Sequence, residues 1–249
     1  MSKIIDGTKL DYNDVLIVPK RSKTASRKDV KLVRDFNFYH SSQQWLGIPL
    51  MAANMDATGT FAMVDALAPL QISVCLHKHY SANDVINYPW TEFNWRHAWL
   101  SIGMKEEGVE KLKKIDSKLG VKQICIDVAN GYTQDFVNHC AKIRNEFSDA
   151  IIMAGNVCTP EMVQELILHG GVDIVKIGIG PGSVCTTRLV AGVGYPQFSA
   201  VLECSNIAHG LTNGDKKLGL ICADGGSTCA GDISKAFGAN ADFVMSGGL

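Results

Sequence analysis

Eight short apolar runs separated by helical stretches predict a closed α/β barrel of the (β/α)8, or TIM-barrel, class for this 249-residue chain. Three observations carry the prediction. Most of the runs are apolar throughout rather than alternating, as strands covered on both faces are. Helical segments lie between them, which demands right-handed crossovers. The length also suits one such barrel, so residues 1–249 are read as a single domain with an N-terminal appendage over about residues 1–47. An open doubly wound sheet is the competing arrangement for the same pattern.

The appendage carries DVLIVPK (14–20) and then a basic, Ser-rich stretch to Lys31. The apolar runs follow at 48–53, 72–76, 98–102, 123–127, 151–154, 174–177, 218–223 and 243–245. Between them, Ser81 and Asp84 frame a helix start, and residues 105–119 place Val109, Leu112 and Ile115 on one face. Thr159, Pro160 and Glu161 read as an N-cap, a first helical residue and a first-turn acid. Met162, Val163, Leu166 and Ile167 continue at helical spacing until Gly170, and Asp232 reads as the cap of a short helix through Phe237. The long gap between the sixth and seventh runs holds GIGPGSVCTTRLVAGVGYPQ (178–197) and ends in TNGDKKL (212–218). A loop of that length in a barrel is usually functional.

Hydrophobic residues at 46% and charged residues at 20% give an ordinary folded core and exclude disorder. Lys and Arg number 24 against 25 Asp and Glu, net charge −1, so no global field draws the protein to nucleic acid or to a membrane surface. The first residues lack an apolar core of signal length, and no window reaches the ~18 apolar residues of a membrane span. The eight cysteines form no C-x-x-C and no zinc-like spacing. Several lie in apolar runs (SVCL, QICI, LICA), where a thiol acts as a small hydrophobe. Reduced cysteines and a cytoplasmic location are expected.

Barrel chemistry sits at the carboxyl ends of the strands. Here those ends read Asn54-Met55-Asp56, His77-Lys78-His79-Tyr80, Asp127 to Gly131, Asn156, Gly178 to Thr187, Asp224-Gly225-Gly226 and Ser246-Gly247-Gly248. Polar groups gather at nearly every end, and none is expected inside the strands. Glycine pairs after the seventh and eighth strands expose backbone N–H groups and suggest a phosphate cradle. No P-loop is present, and Gly178-Ile179-Gly180 runs into Pro181-Gly182-Ser183 without completing a dinucleotide fingerprint. Cys185 differs from the other cysteines. It lies in a polar loop with Arg188 three residues on, a setting that favours thiolate and nucleophilic attack, with Thr186 and Thr187 as proton relays. Lys78 is a candidate partner for an anionic substrate or cofactor, whereas His77 and His79 read as structural.

At that loop, GIGPGSVCTTR (178–188) resembles the catalytic loop of the IMP dehydrogenase and GMP reductase family. The resemblance spans nearly the whole chain, through NMDATGT, HKHYS, IDVANGY, AGN, DGGST and FVMSGG. GVGYPQ (192–197), with Tyr195, is similar to the reductase branch, and no room is left for an inserted regulatory domain. The resemblance implies the reaction GMP + NADPH + H⁺ → IMP + NADP⁺ + NH₃ in a cytoplasmic homotetramer. An IMP dehydrogenase, or a form that binds nucleotide without turning it over, is the alternative. Cys185 would form a thioimidate at C2 of the purine, and Thr187 would share proton transfer. Ser183, Asp224, Gly225, Gly226, Gly247 and Gly248 would hold GMP or IMP. Lys78, Asp127, Val128, Ala129, Ile179 and Gly180 would contact NADPH, joined by Ser26 and Arg27 of a neighbouring subunit. Carbonyls of Gly180, Gly182, Cys185 and Arg188 would bind K⁺ or another monovalent cation. The family continues past the eighth strand with a Glu-bearing flap and a last helix, so the expectation for residues 1–249 is a barrel lacking both. Ser246 also departs from the Leu common among relatives.

Overall fold

In the computed structural model, which describes residues 4–182 and 185–248, all eight apolar runs are strands. Numbered in chain order, β1 (Arg34–Asn37) pairs antiparallel with β2 (Gln44–Ala52). The strands β3 (Ile72–Leu76), β4 (Ala98–Ile102), β5 (Gln123–Asp127) and β7 (Ile174–Ile177) keep the bounds read from the sequence. The others shift for local reasons. Residues 44–47 add to β2 because they form the hairpin with β1. Asn156, a polar residue, lies inside β6 (Ile151–Val157), which therefore runs past its apolar part. Residues Thr212–Asn213 (β8) and Lys216–Lys217 (β9) form a small hairpin whose end is tied by Leu218 N–H donating to Leu211 O at 2.9 Å, so β10 (Leu220–Asp224) starts late. The last strand is β11 (Phe243–Ser246).

Parallel pairing runs β2-β11-β10-β7-β6-β5-β4-β3, and β2 pairs with β3, Ile48 opposite Ile72. The sheet is therefore a closed eight-stranded barrel, which settles the choice against an open sheet. Helices α1 (Phe61–Leu67), α2 (Ala82–Asn87), α3 (Glu92–Arg96), α4 (Glu106–Leu119), α5 (Gln134–Glu146), α6 (Pro160–Leu168), α7 (Thr187–Val190), α8 (Gln197–Gly210) and α9 (Ala230–Gly238) fill the crossovers. Local chemistry sets several starts. Ser81 and Asp84 form a capping box, with Ser81 N–H donating to Asp84 and Asp84 N–H to Ser81 Oγ. Asp232 does not cap its helix as the sequence suggested: α9 begins two residues earlier, and Asp232 instead accepts the N–H and hydroxyl of Thr228, each at 3.0 Å.

Two apolar layers hold the barrel. Val109, Leu112 and Ile115 of α4 are fully buried between helices and sheet, as their spacing predicts. Inside the barrel pack Met51, Cys75, Trp99, Cys125, Met153, Cys222 and Phe243. The β1–β2 hairpin plugs the N-terminal opening, with the Phe36 and Trp45 rings 4.6 and 5.3 Å from that of Phe243. All eight cysteines are free, and only Cys185 and Cys229 are exposed. The strands are not free of polar groups, contrary to expectation: Ser73, Ser101 and Lys176 are buried within them. Among the described residues, no helix is long and apolar enough to cross a membrane.

Candidate active site

Strand β7 is followed by Gly178, whose φ of +147° and position suit only glycine: a Cβ there would stand 2.2 Å from the carbonyl oxygen of Asp224. The chain then loops to α7. Arg188 clips this loop in place, donating from Nε to Ile179 O at 3.2 Å, from Nη2 to Tyr195 O at 2.5 Å and from Nη1 to Asp11 at 3.3 Å. Asp11 in turn accepts the N–H of Gln197, so the N-terminal segment is tied to the same corner.

The clip leaves Cys185 exposed at the barrel mouth. Its N–H donates to Gly182 O at 3.0 Å, and its thiol lies 3.3 Å from Thr187 Oγ1. The Thr187 hydroxyl and main chain lower the thiol's pKa below the ordinary value against a small opposing effect of burial. Arg188 adds the least to that shift. The stabilising role expected of Arg188 thus falls mainly to Thr187, because the guanidinium is turned away to carbonyls and to Asp11.

A cavity of about 1040 Å³ opens beside Cys185 and Thr187. Lys78, Asp127, Val128, Ala129, Ile179 and Gly180 all line it, so six of the positions predicted for a cofactor come together. Ser26 and Arg27 do not: they sit in an exposed turn at Arg27–Asp29 and are not among the cavity's lining residues. Asp224 ends β10, next to β11, and Gly225 N–H donates to Met245 O at 3.4 Å. Gly225 and Gly226 both have φ near +80°, which turns their backbone past Pro181. Gly247 and Gly248 follow the neighbouring strand end. Ser227 Oγ and Ser246 Oγ, which flank these glycines along the chain, are buried without a partner among the described residues. Ser183 lies outside the described residues.

Two residues the sequence reading passed over organise this end. Lys176, inside β7 and 1% exposed, donates to Asp127 at 2.5 Å and to Asp224 at 2.9 Å. Burial opposes its charge, but the two carboxylates outweigh burial and hold its pKa well above the ordinary value. Burial likewise opposes ionisation of Asp127, and Lys176, with Asn54, outweighs it. The signal was a lone cation in the apolar run Ile174-Val175-Lys176-Ile177. Lys111 of α4 donates to the carbonyls of Lys78 at 2.9 Å and of Tyr80 and Ser101 at 3.4 Å, bracing the turn that carries Lys78. Its sequence position, on the polar side of an amphipathic helix, gave no hint of this.

A closed barrel with an acidified thiol at its carboxyl mouth, beside a deep cavity, defines a barrel enzyme. Residues 95–249 match the IMP dehydrogenase / GMP reductase domain family. GMP reductase of Buchnera aphidicola subsp. Schizaphis graminum is 52% identical over 250 residues, covering 99% of this chain and 70% of that protein. GMP reductase of Escherichia coli K12 / DH10B is 51% identical over 251 residues, with the same coverage. A solved structure of inosine 5′-monophosphate dehydrogenase from Legionella pneumophila is similar at a TM-score of 0.80 and 28% identity, covering 96% of this chain and 69% of that one. The chain belongs to the IMP dehydrogenase / GMP reductase family of oxidoreductases.

Proposed function

We propose that the protein reduces GMP to IMP with NADPH and releases ammonia. The observation that carries this reading is the exposed Cys185 thiol, acidified by Thr187, beside the cavity that Lys78 and Asp127 line. The identity of about half the residues with proteins named GMP reductase favours reduction over dehydrogenation.

Cys185 attacks C2 of the guanine ring as thiolate, and a thioimidate forms as the amino group leaves. Thr187, within hydrogen-bond reach of the sulfur, donates to the thiolate and shares proton transfer to the departing ammonia. Asp224 receives the ribose hydroxyls, since a carboxylate accepts from both members of a diol. Gly225, Gly226, Gly247 and Gly248, with Ser183, surround the phosphate with backbone N–H groups. A nicotinamide cofactor held by Lys78, Asp127, Val128, Ala129, Ile179 and Gly180 would supply the hydride that C2 needs for IMP to form and the Cys185 thiolate to be restored. The residues present fit it: the cavity holds about 1040 Å³, Lys78 offers a cation for its phosphates, and Asn156 Oδ1 in the same wall is a buried acceptor without a partner among the described residues.

The carbonyls of Gly180, Gly182, Cys185 and Arg188 are the hard oxygen donors that K⁺ takes, and Gly182 O keeps a lone pair beyond the one it gives to Cys185 N–H. Such an ion would brace the catalytic loop. Ser26 and Arg27 reach the cofactor only across a subunit boundary, in a cytoplasmic homotetramer. Exposed apolar side chains at Leu16 (86%), Val18, Leu189 (87%) and Val190 support association of that kind.

The test is to mix the protein with GMP and NADPH and follow NADPH absorbance and ammonia. Equal loss of NADPH and gain of ammonia is expected. Turnover of IMP with NAD⁺ and none of GMP would replace this reading by an IMP dehydrogenase.

A further inference from the structure

Asp224 is held more firmly than a ligand-binding carboxylate requires. Lys176 Nζ donates to its Oδ2 at 2.9 Å, and Asn156 Nδ2 donates to the same oxygen at 2.8 Å. Gln197 of α8, also 1% exposed, donates from Nε2 to the Asp224 carbonyl at 3.2 Å and to Ile177 O at 2.9 Å. Three elements, β6, β7 and α8, thus fix one residue. Both lone pairs of Oδ2 are taken, while Oδ1 makes no hydrogen bond among the described residues.

The second carboxylate on Lys176 makes its charge indispensable. Asp127 and Asp224 both lie within reach of one Nζ. Without that cation the two carboxylates, largely out of water, would repel each other and swing apart. A swivelled Asp224 is a poor acceptor for a diol.

We propose that Lys176 is a positioning residue that sets the preference for ribose over deoxyribose. It occupies Oδ2 together with Asn156, fixes the carboxylate plane and presents Oδ1 to the sugar hydroxyls. This rests on the reading of Asp224 as the ribose acceptor and adds what makes it one. The buried Arg144–Asp173 pair of the opposite end shows the difference from a purely structural ion pair: there both carboxylate oxygens are used, by Arg144 and Ile152 N–H on one and Ser41 N–H on the other.

Calorimetry with GMP and with 2′-deoxy-GMP tests it without turnover. The wild-type protein should prefer GMP by about tenfold or more, and Lys176→Met should bring the two ligands within about threefold, chiefly by weakening GMP. Lys176→Arg should restore most of the preference, and Asp127→Asn, which leaves the contact to Asp224 in place, should keep it. A merely structural lysine would weaken both ligands in proportion and leave their ratio alone. If Lys176→Met does not fold, Asp127→Asn/Lys176→Met, which keeps the cluster's net charge and removes the second carboxylate, isolates the lost hydrogen bond to Oδ2 and should still narrow the preference. A folded Lys176-less variant with the wild-type ratio overturns the proposal. A wild-type protein that binds GMP and deoxy-GMP equally overturns the assignment of Asp224 to ribose, and the role of Lys176 with it.

Discussion

At the N-terminal end of the barrel, Arg144 reaches from α5 to Asp173, just ahead of β7, at 2.5 Å. Its remaining donors go to the carbonyls of Phe147, Ser148, Ala150 and Gly171, and Asp173 also accepts the N–H groups of Ser41 and Ile152. At the carboxyl end, three residues further along the same chain, Lys176 is just as buried and holds two carboxylates. There Asn156 Oδ1, Ser227 Oγ and Ser246 Oγ are buried without partners among the described residues, and Oδ1 of Asp224 accepts nothing from them. An ion pair whose carboxylate oxygens are both occupied contributes stability. One with acceptors and donors left over waits for a ligand. Unpartnered polar atoms occur at both ends, Trp45 Nε1 and His40 Nε2 among the described residues of the N-terminal one, and the difference lies in the carboxylates: both oxygens of Asp173 accept hydrogen bonds, whereas only Oδ2 of Asp224 does.

Substitutions at each end sharpen or break that contrast. The largest effect is expected at the open end. Cys185→Ala should lower kcat by roughly 10⁴-fold or more, while GMP affinity by calorimetry stays within about tenfold, ~1.4 kcal/mol. A variant keeping most of its kcat would remove the nucleophile from the proposal. At the closed end, Arg144→Met strands a buried carboxylate and should cost about 3–5 kcal/mol in denaturant unfolding. The kcat of the folded protein should hold. A matching loss of kcat would mean that the two ends are not separable.

Thr187→Val should act on rate through pH. The thiolate is the active form, so kcat/KM rises as the pH rises through the thiol pKa of the free enzyme. Thr187 holds that pKa below the ordinary free-thiol value, and its loss should move the rising limb to higher pH. At neutral pH the rate should fall roughly 10–100-fold. A limb that does not move would return the credit to Arg188. The smallest effect is expected at Asp232→Asn. The Thr228 main-chain N–H, aided by its hydroxyl and Lys235, holds the Asp232 carboxyl at about 2. Its stabilisation is therefore present above the unfolded carboxyl value and fades as the pH falls towards about 2. Replacing it should cost about 0.5–1 kcal/mol near neutrality, and less in acid, as read by thermal unfolding at two pH values.

Much of this architecture can be read along the chain. Continuous apolar runs such as Ile72–Leu76 and Gln123–Asp127 are strands with the expected bounds because burial on both faces leaves little choice of residue. Ser81 with Asp84, and Val109 with Leu112 and Ile115, mark helices because caps and spacing act over a few residues. The polar character of the strand ends also lies in the sequence, since a turn at a barrel mouth repeats the same local problem at each crossover. Asn156 misled because one polar side chain looks like the end of a strand when it is turned into a cavity. Asp232 misled because a carboxylate serves equally well at a cap or one turn inside it.

Local order along the chain thus sufficed for the barrel, its helices and a distinct polar thiol, since each depends on neighbours a few residues away. It did not suffice for the partners of that thiol or for the pairing of charges. Lys176 meets Asp127 and Asp224 from positions 49 and 48 residues away, and Arg188 meets Asp11 across 177. No periodicity encodes such meetings. They exist because closing the sheet brings β5, β6, β7 and β10 around one axis, where a buried cation is stable only among the carboxylates that closure delivers.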